Sequence, residues 1–186
     1  IGGVGLLKDY NKMITMNLKE IDNLVLVIGK TEGHIDQSLF ARTILDEKNG
    51  PPPEINLFNE KNNGESLLDL IDKNYIKSAH DISLGGLITA LSKMCIQGNK
   101  GIKLNKSKNL INEIEYFFAE DQGRYLIEIN PKDFDEVTNI LNKNSVHYEK
   151  LGNIIEKEMI INDKTKVTID ELKSYNTSWL INFMSS

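Results

Sequence analysis

The run Leu24-Val25-Leu26-Val27-Ile28-Gly29 constrains the fold more than any other stretch of the chain. Its apolar residues are consecutive, several are β-branched, and a glycine closes it, so it reads as a buried strand and is too short for a buried helix. Successive side chains of a strand point to opposite faces, so this strand is apolar on both and needs cover on both. Elsewhere, segments with helical spacing return between strand-like segments that alternate in polarity. The expected architecture is a mixed α/β domain whose sheet is mostly covered by helices.

The helices and strands can be placed in order. Ser38 stands where an N-cap belongs, ahead of a helix carrying Leu39, Phe40, Ile44 and Leu45, although its hydroxyl is also free to meet a ligand. Asn49-Gly50-Pro51-Pro52-Pro53 ends that helix and makes a rigid turn. Leu67, Leu68, Leu70 and Ile71 then stripe one long helix, or two broken near Gly64. A strand over residues 77–80 leads into a helix over 86–94, which stops at Gln97-Gly98-Asn99-Lys100-Gly101. Ile102-Lys103-Leu104 reads as a half-exposed strand and residues 110–114 as a helical turn. Asn130-Pro131-Lys132-Asp133 caps a helix with Phe134, Val137, Ile140 and Leu141. Residues 159–162 and 166–169 flank a polar connection as a terminal hairpin, and a last helix beginning at Asp170 can dock through Trp179, Leu180 and Phe183, on this body or on a neighbour.

Bulk properties exclude several classes of partner. With Lys+Arg 22 against Asp+Glu 27, a net charge of -5 and no basic stripe, a nucleic-acid partner is not expected. No apolar run approaches the roughly 20 residues of a membrane span, and the start lacks a basic signal-peptide region. The single cysteine, Cys95, lies in an apolar run and is expected to be a buried, inert thiol, in keeping with a reducing cytoplasm. The chain starts Ile1-Gly2-Gly3-Val4-Gly5 without an initiator Met and reads as a piece of a longer protein. Residues 1–20 are assigned to a linker or edge segment of a preceding domain, and residues 21–186 to the domain itself.

Two turns concentrate the chemistry. In Ser78-Ala79-His80-Asp81-Ile82-Ser83-Leu84-Gly85-Gly86-Leu87 a charged pair, a hydroxyl and two glycines precede a helix start. Glycine permits close backbone approach, and the first N–H groups of a helix lack internal partners and carry the positive end of its dipole, so such a turn can receive an anion. It can equally be a plain strand-to-helix turn. In Ala119-Glu120-Asp121-Gln122-Gly123-Arg124-Tyr125 the charges form either a hairpin with a solvated ion pair or a loop end joining a polar site. No nucleophile–base pair is present, so no catalytic residue is assigned. His34 and His147 lack ligand-type neighbours at metal-binding spacing.

These two turns, together with Ile1-Gly2-Gly3-Val4-Gly5, Gln37-Ser38-Leu39 and Gly50-Pro51-Pro52-Pro53, resemble the C-terminal domain of the phosphoribosylformylglycinamidine synthase large-subunit family, within the aminoimidazole ribonucleotide synthetase superfamily. The resemblance covers nearly the whole chain. It implies a three-layer αβα module with a mixed sheet, standing as the second of two pseudo-symmetric copies. It further implies an ATP- and magnesium-dependent ligase that forms an amidine from formylglycinamide ribonucleotide and glutamine-derived ammonia. The remaining domains, a glutaminase subunit and a small bridging subunit would be its partners, and the isolated domain would be inactive. By the same resemblance, Ser38, His80, Asp81, Ser83, Gly85, Gly86, Glu120, Gln122 and Arg124 form a candidate ligand or phosphate pseudo-site, with Asp81 as its metal ligand. Where many members carry Gly-Gly-Ser, this chain has Asp36-Gln37-Ser38, which keeps the hydroxyl and removes two flexible backbone positions. The alternatives are an auxiliary nucleotide- or phosphate-binding module, or a domain of a sister ATP-dependent synthetase.

Overall fold

The computed structural model describes residues 4–104 and 112–185. In chain order its main elements are β1 (Leu24–Ile28), α1 (Leu39–Thr43), α2 (Leu57–Asp72), β2 (Ile76–Asp81), α3 (Gly86–Gly98), β3 (Gly101–Leu104) and α4 (Glu113–Phe118). There follow β4 (Tyr125–Ile129), α5 (Phe134–Lys143), β5 (Tyr148–Ile155), β6 (Glu158–Ile161), β7 (Thr165–Thr168) and α6 (Ile169–Met184). The strands form one seven-stranded sheet in the order β2-β4-β1-β5-β3-β6-β7. Pairing is antiparallel throughout except between β3 and β6, so the sheet is mixed, as expected.

β1 lies inside the sheet between β4 and β5, and every one of its residues is buried. Val25 and Val27 enter a core with Leu87, Leu91, Met94 and Cys95 of α3. Leu24, Leu26 and Ile28 enter the opposite core with Leu70 of α2 and Val137 and Leu141 of α5. The apolar run is thus sandwiched between two helical layers, and its alternation supplies both cores. No helix among the described residues is long and apolar enough to cross a membrane.

Of the two readings of α2 the first holds: it is one uninterrupted helix through Gly64. Other local expectations change. α1 ends at Thr43, and Ile44 and Leu45 are exposed, so no buried face holds further turns before the prolines. The aromatic run Tyr116-Phe117-Phe118 is helical, which makes residues 119–124 a helix-to-strand connection and not a hairpin. The expected helical turn over 110–114 lies partly outside the described residues, and α4 opens at Glu113 with Asn112 as its cap. Trp179, Leu180 and Phe183 do not dock on this body: they are 68%, 57% and 62% exposed, because α6 outruns the core after seating Ile169.

Residues 4–13 form no strand, and Val4 and Leu6 are fully exposed. From Thr15 onward the segment is tied to the sheet. The Ala79 amide donates to the Thr15 carbonyl at 3.2 Å, and the Leu18 amide to the Met94 carbonyl at 3.3 Å. The Lys19 and Glu20 amides donate to the carboxylate of Glu128, a residue buried in the middle of β4, at 2.8 and 3.0 Å.

Candidate functional site

β2 is an edge strand that delivers His80 and Asp81 to its C-terminal end, where residues 82–85 turn into α3. The Gly86 amide donates to the Ser83 carbonyl at 3.0 Å and closes the turn. Gly85 and Gly86 both hold positive φ, at 87° and 72°. A Cβ on Gly86 would lie 2.7 Å from the Ala119 carbonyl oxygen, so only glycine lets α3 start against the end of α4.

The structure brings Ser38, Gly85, Gly86 and Glu120 together and satisfies their polar groups from within. One oxygen of Glu120, Oε1, accepts the Leu39 amide at 2.7 Å and the Gly85 amide at 2.8 Å. A carboxylate from the chain itself therefore stands where the turn exposes its donors. Ser38 is buried, and its hydroxyl caps α1 by accepting the Ala41 amide at 3.1 Å.

Asp121 and Arg124 organise the neighbouring loop from inside. Asp121 accepts the Glu32, Gly33 and His34 amides at 3.0, 3.2 and 3.1 Å, which fixes the connection after β1. Arg124 is 1% exposed and donates to the Ala119 carbonyl at 2.7 Å, the Thr31 hydroxyl at 3.0 Å and the Asp121 carbonyl at 3.3 Å. Its pair with Asp121, 3.9 Å apart, is buried and not solvated. Burial holds the Arg124 guanidinium below its ordinary pKa, with Asp121, Tyr116 and Glu120 pulling the other way.

His80, Asp81, Ser83 and Gln122 lie outside this internal network. Asp81 is largely exposed and sits 3.2 Å from His80 Nδ1, while His80 Nε2 is buried without a hydrogen-bond partner among the described residues. Ser83 is exposed at the turn. Tyr125 is paired across from Asp81, and its hydroxyl is raised in pKa by burial, then by Glu60 and Asp81. Gln122 lines a cleft of about 870 Å³ between the loop after β1 and the N-terminal half of α2, with Lys30, His34, Asn59 and Glu60. The Lys30 ammonium is already paired with Glu32 at 2.8 Å.

The α2 wall of this cleft was not visible in the sequence, because Glu60 and Asn63 reach Gly123 only through the tertiary fold. Glu128 carries a faint signal, being the one acid inside the apolar stretch Leu126-Ile127-Glu128-Ile129. Among the described residues no three His, Cys, Asp or Glu side chains converge as a metal cage. Asp81 offers a single exposed carboxylate, which suits magnesium only when phosphates and waters complete its shell.

A mixed, doubly covered sheet with a glycine turn after an edge strand defines a recognisable module. Residues 20–163 match the family model described as AIR synthase related protein, C-terminal domain, and the chain belongs to that family. It is 67% identical over 186 residues to the phosphoribosylformylglycinamidine synthase subunit PurL of Pelagibacter ubique, covering 100% of this chain and 26% of that protein. It is 36% identical over 184 residues to the PurL subunit of Bartonella henselae, covering 99% of this chain and 25% of that protein. The chain thus spans about a quarter of the length of the curated relatives it matches. In fold it is similar to T. maritima PurL complexed with FGAR, with a TM-score of 0.70 at 18% identity over 87% of this chain and 29% of that one. It is also similar to the E. coli hydrogenase maturation protein HypE, with a TM-score of 0.60 at 15% identity over 84% of this chain and 52% of that one.

Proposed function

We propose that this chain is the C-terminal domain of the large subunit of phosphoribosylformylglycinamidine synthase and has no turnover by itself. The observation that carries this reading is the 67% identity to PurL along the full 186 residues. The whole enzyme would join ammonia, delivered from glutamine, to formylglycinamide ribonucleotide with ATP and magnesium. A glutaminase subunit and a small bridging subunit would assemble with it in the cytoplasm. When bound, magnesium ATP supplies activation of the amide oxygen for attack by ammonia.

The residues of this domain hold and orient. Glu120 ties the turn before α3 to the start of α1, and Asp121 with Arg124, through the Thr31 hydroxyl, fixes the loop after β1. Lys30, His34 and Gln122 face the cleft that this loop borders. Asp81 is the residue that would lend a carboxylate to magnesium.

The test is amidine synthesis by the full-length subunit with formylglycinamide ribonucleotide, ATP, magnesium and ammonia. Product from the whole subunit and none from residues 1–186 alone is the expected result. Failure of the whole subunit overturns the enzyme assignment, and turnover by the isolated chain overturns the assignment of a dependent domain.

A second reading, an auxiliary nucleotide or phosphate site, is favoured by the exposed Asp81 at the end of β2. Calorimetry with ADP and magnesium should then show heat that Asp81→Ala abolishes, and silence up to millimolar ligand removes this reading. A domain of a sister synthetase is disfavoured by the same identity along the full chain.

A further inference from the structure

α6 holds 16 residues and is about 24 Å long at 1.5 Å per residue. Among the described residues its beginning is what rests on the body: Ile169 is 1% exposed, and Leu172 packs at the margin of the α3-side core. Trp179, Leu180 and Phe183 continue the same stripe at helical spacing, and Tyr175 borders it. These four are 57–78% exposed. Trp179 and Phe183 stack on one another, with ring centroids 5.4 Å apart and planes 10° from parallel.

The stripe is a core-type face that extends beyond its own core. An exposed apolar face with this aromatic content marks a contact surface. Residues 174–184 of α6 carry no charged side chain. That argues against a lipid surface, because interfacial helices carry Lys and Arg on their polar face. The fitting partner is an uncharged, apolar protein surface.

The start of α6 lies at the end of the sheet that the leading segment crosses. The alternation of strand directions across the sheet puts the starts of β2 and β3, and hence the C-termini of α2 and α3, at one end. The leading segment crosses that end: the Lys12 ammonium donates to the Asp72 carbonyl at 3.0 Å, and the Leu18 amide to the Met94 carbonyl at 3.3 Å. α6 is braced there too, by the Lys173 ammonium donating to the Asn99 side chain at 2.6 Å. Ahead of Lys12, Val4, Leu6, Leu7 and Tyr10 are likewise exposed. About three quarters of the length of the curated relatives lies outside this chain.

We infer that the Tyr175–Trp179–Phe183 face of α6 is an intramolecular docking surface for the portion of the same polypeptide that precedes this domain. This rests on the reading of the chain as one domain of a larger subunit. A photoreactive phenylalanine analogue placed at Tyr175 of the full-length subunit tests it by mass spectrometry of the irradiated protein. The expected adduct is intramolecular, to residues upstream of this domain, and Trp179→Ala should lower its yield about tenfold, as loss of a central aromatic anchor does. An adduct to a second copy or to the glutaminase subunit overturns the inference, and so does the absence of any adduct. Amidine synthesis measured on the same preparation separates the two readings. Synthesis without the intramolecular adduct sinks the docking surface alone; the adduct without synthesis sinks the enzyme assignment alone.

Discussion

The Glu120 carboxylate accepts the Gly85 amide at 2.8 Å, and through the same oxygen it accepts the Leu39 amide at 2.7 Å. Two helix-start donors from distant parts of the chain therefore converge on one internal anion. The contact joins the turn after β2, the start of α1 and the connection after α4.

Removing that carboxylate tests the coupling. Hydrogen bonds to charged groups contribute about 1.5–3 kcal/mol each, and amides left unsatisfied add to the loss. Glu120→Ala should destabilise the domain by about 2–4 kcal/mol, and Glu120→Gln, which keeps a carbonyl acceptor, by about half as much. Urea unfolding midpoints of the three proteins check this. Equal stability of the alanine variant and the parent would mean that the contact carries no load.

Glu128 offers a second test. Its buried carboxylate accepts the Lys19 and Glu20 amides, the Asn23 side-chain amide at 2.7 Å and the Ser78 hydroxyl at 2.8 Å. Glu128→Ala strands all four donors and should cost about 3–5 kcal/mol. Hydrogen exchange adds a local readout, since the Lys19 and Glu20 amides should exchange faster relative to those of β1. Unchanged protection at Lys19 and Glu20 would show that the segment is held by something else.

Arg124 is predicted to resist conservative replacement. Its guanidinium serves three acceptors, two on its own connection and one on the loop after β1, a geometry that a lysine ammonium cannot span. Arg124→Lys should destabilise by about 3–5 kcal/mol, the range for breaking a buried charge network. Thermal melts of the two proteins provide the comparison, and a shift of less than about 2 °C would contradict the prediction.

What the sequence revealed and what it concealed divide by range. β1 could be read from five residues because a continuous apolar run is a local signal, and the structure gives it cover on both sides. The Ser38 cap was legible for the same reason, since its partner is Ala41. The Glu120 contacts were not, because Gly85 lies 35 residues away and Leu39 lies 81 away. A carboxylate beside a glycine turn looks the same in sequence whether it faces solvent or fills the turn. Arg124 and Asp121 likewise read either as a solvated pair or as a loop end joining a polar site, and only the fold shows both to be buried. For α6 the apolar stripe was clear, but spacing alone does not say how far the body extends beneath a helix.

Cys95 gives a pH-dependent prediction with a definite sign. Its side chain is fully buried among Leu91, Met94 and Ile102, and burial pushes its thiol from 9.0 up to about 12. Below pH 9 the folded and unfolded chains both keep the proton, so this group does not alter their balance. Between pH 9 and 12 the unfolded chain releases it while the native chain retains it. The unfolded state then binds fewer protons, and stability falls as pH rises by up to about 1.4 kcal/mol per pH unit. Cys95→Ala removes this contribution, at the separate cost of a small cavity, so the difference in unfolding free energy between parent and variant should shrink from pH 9 upward. At pH 8 the native thiolate fraction is on the order of 10⁻⁴, and a thiol-specific disulfide reagent should label Cys95 only as fast as the domain opens. Labelling of the native protein at the rate of a free thiol would show that the pocket around Cys95 is open to solvent.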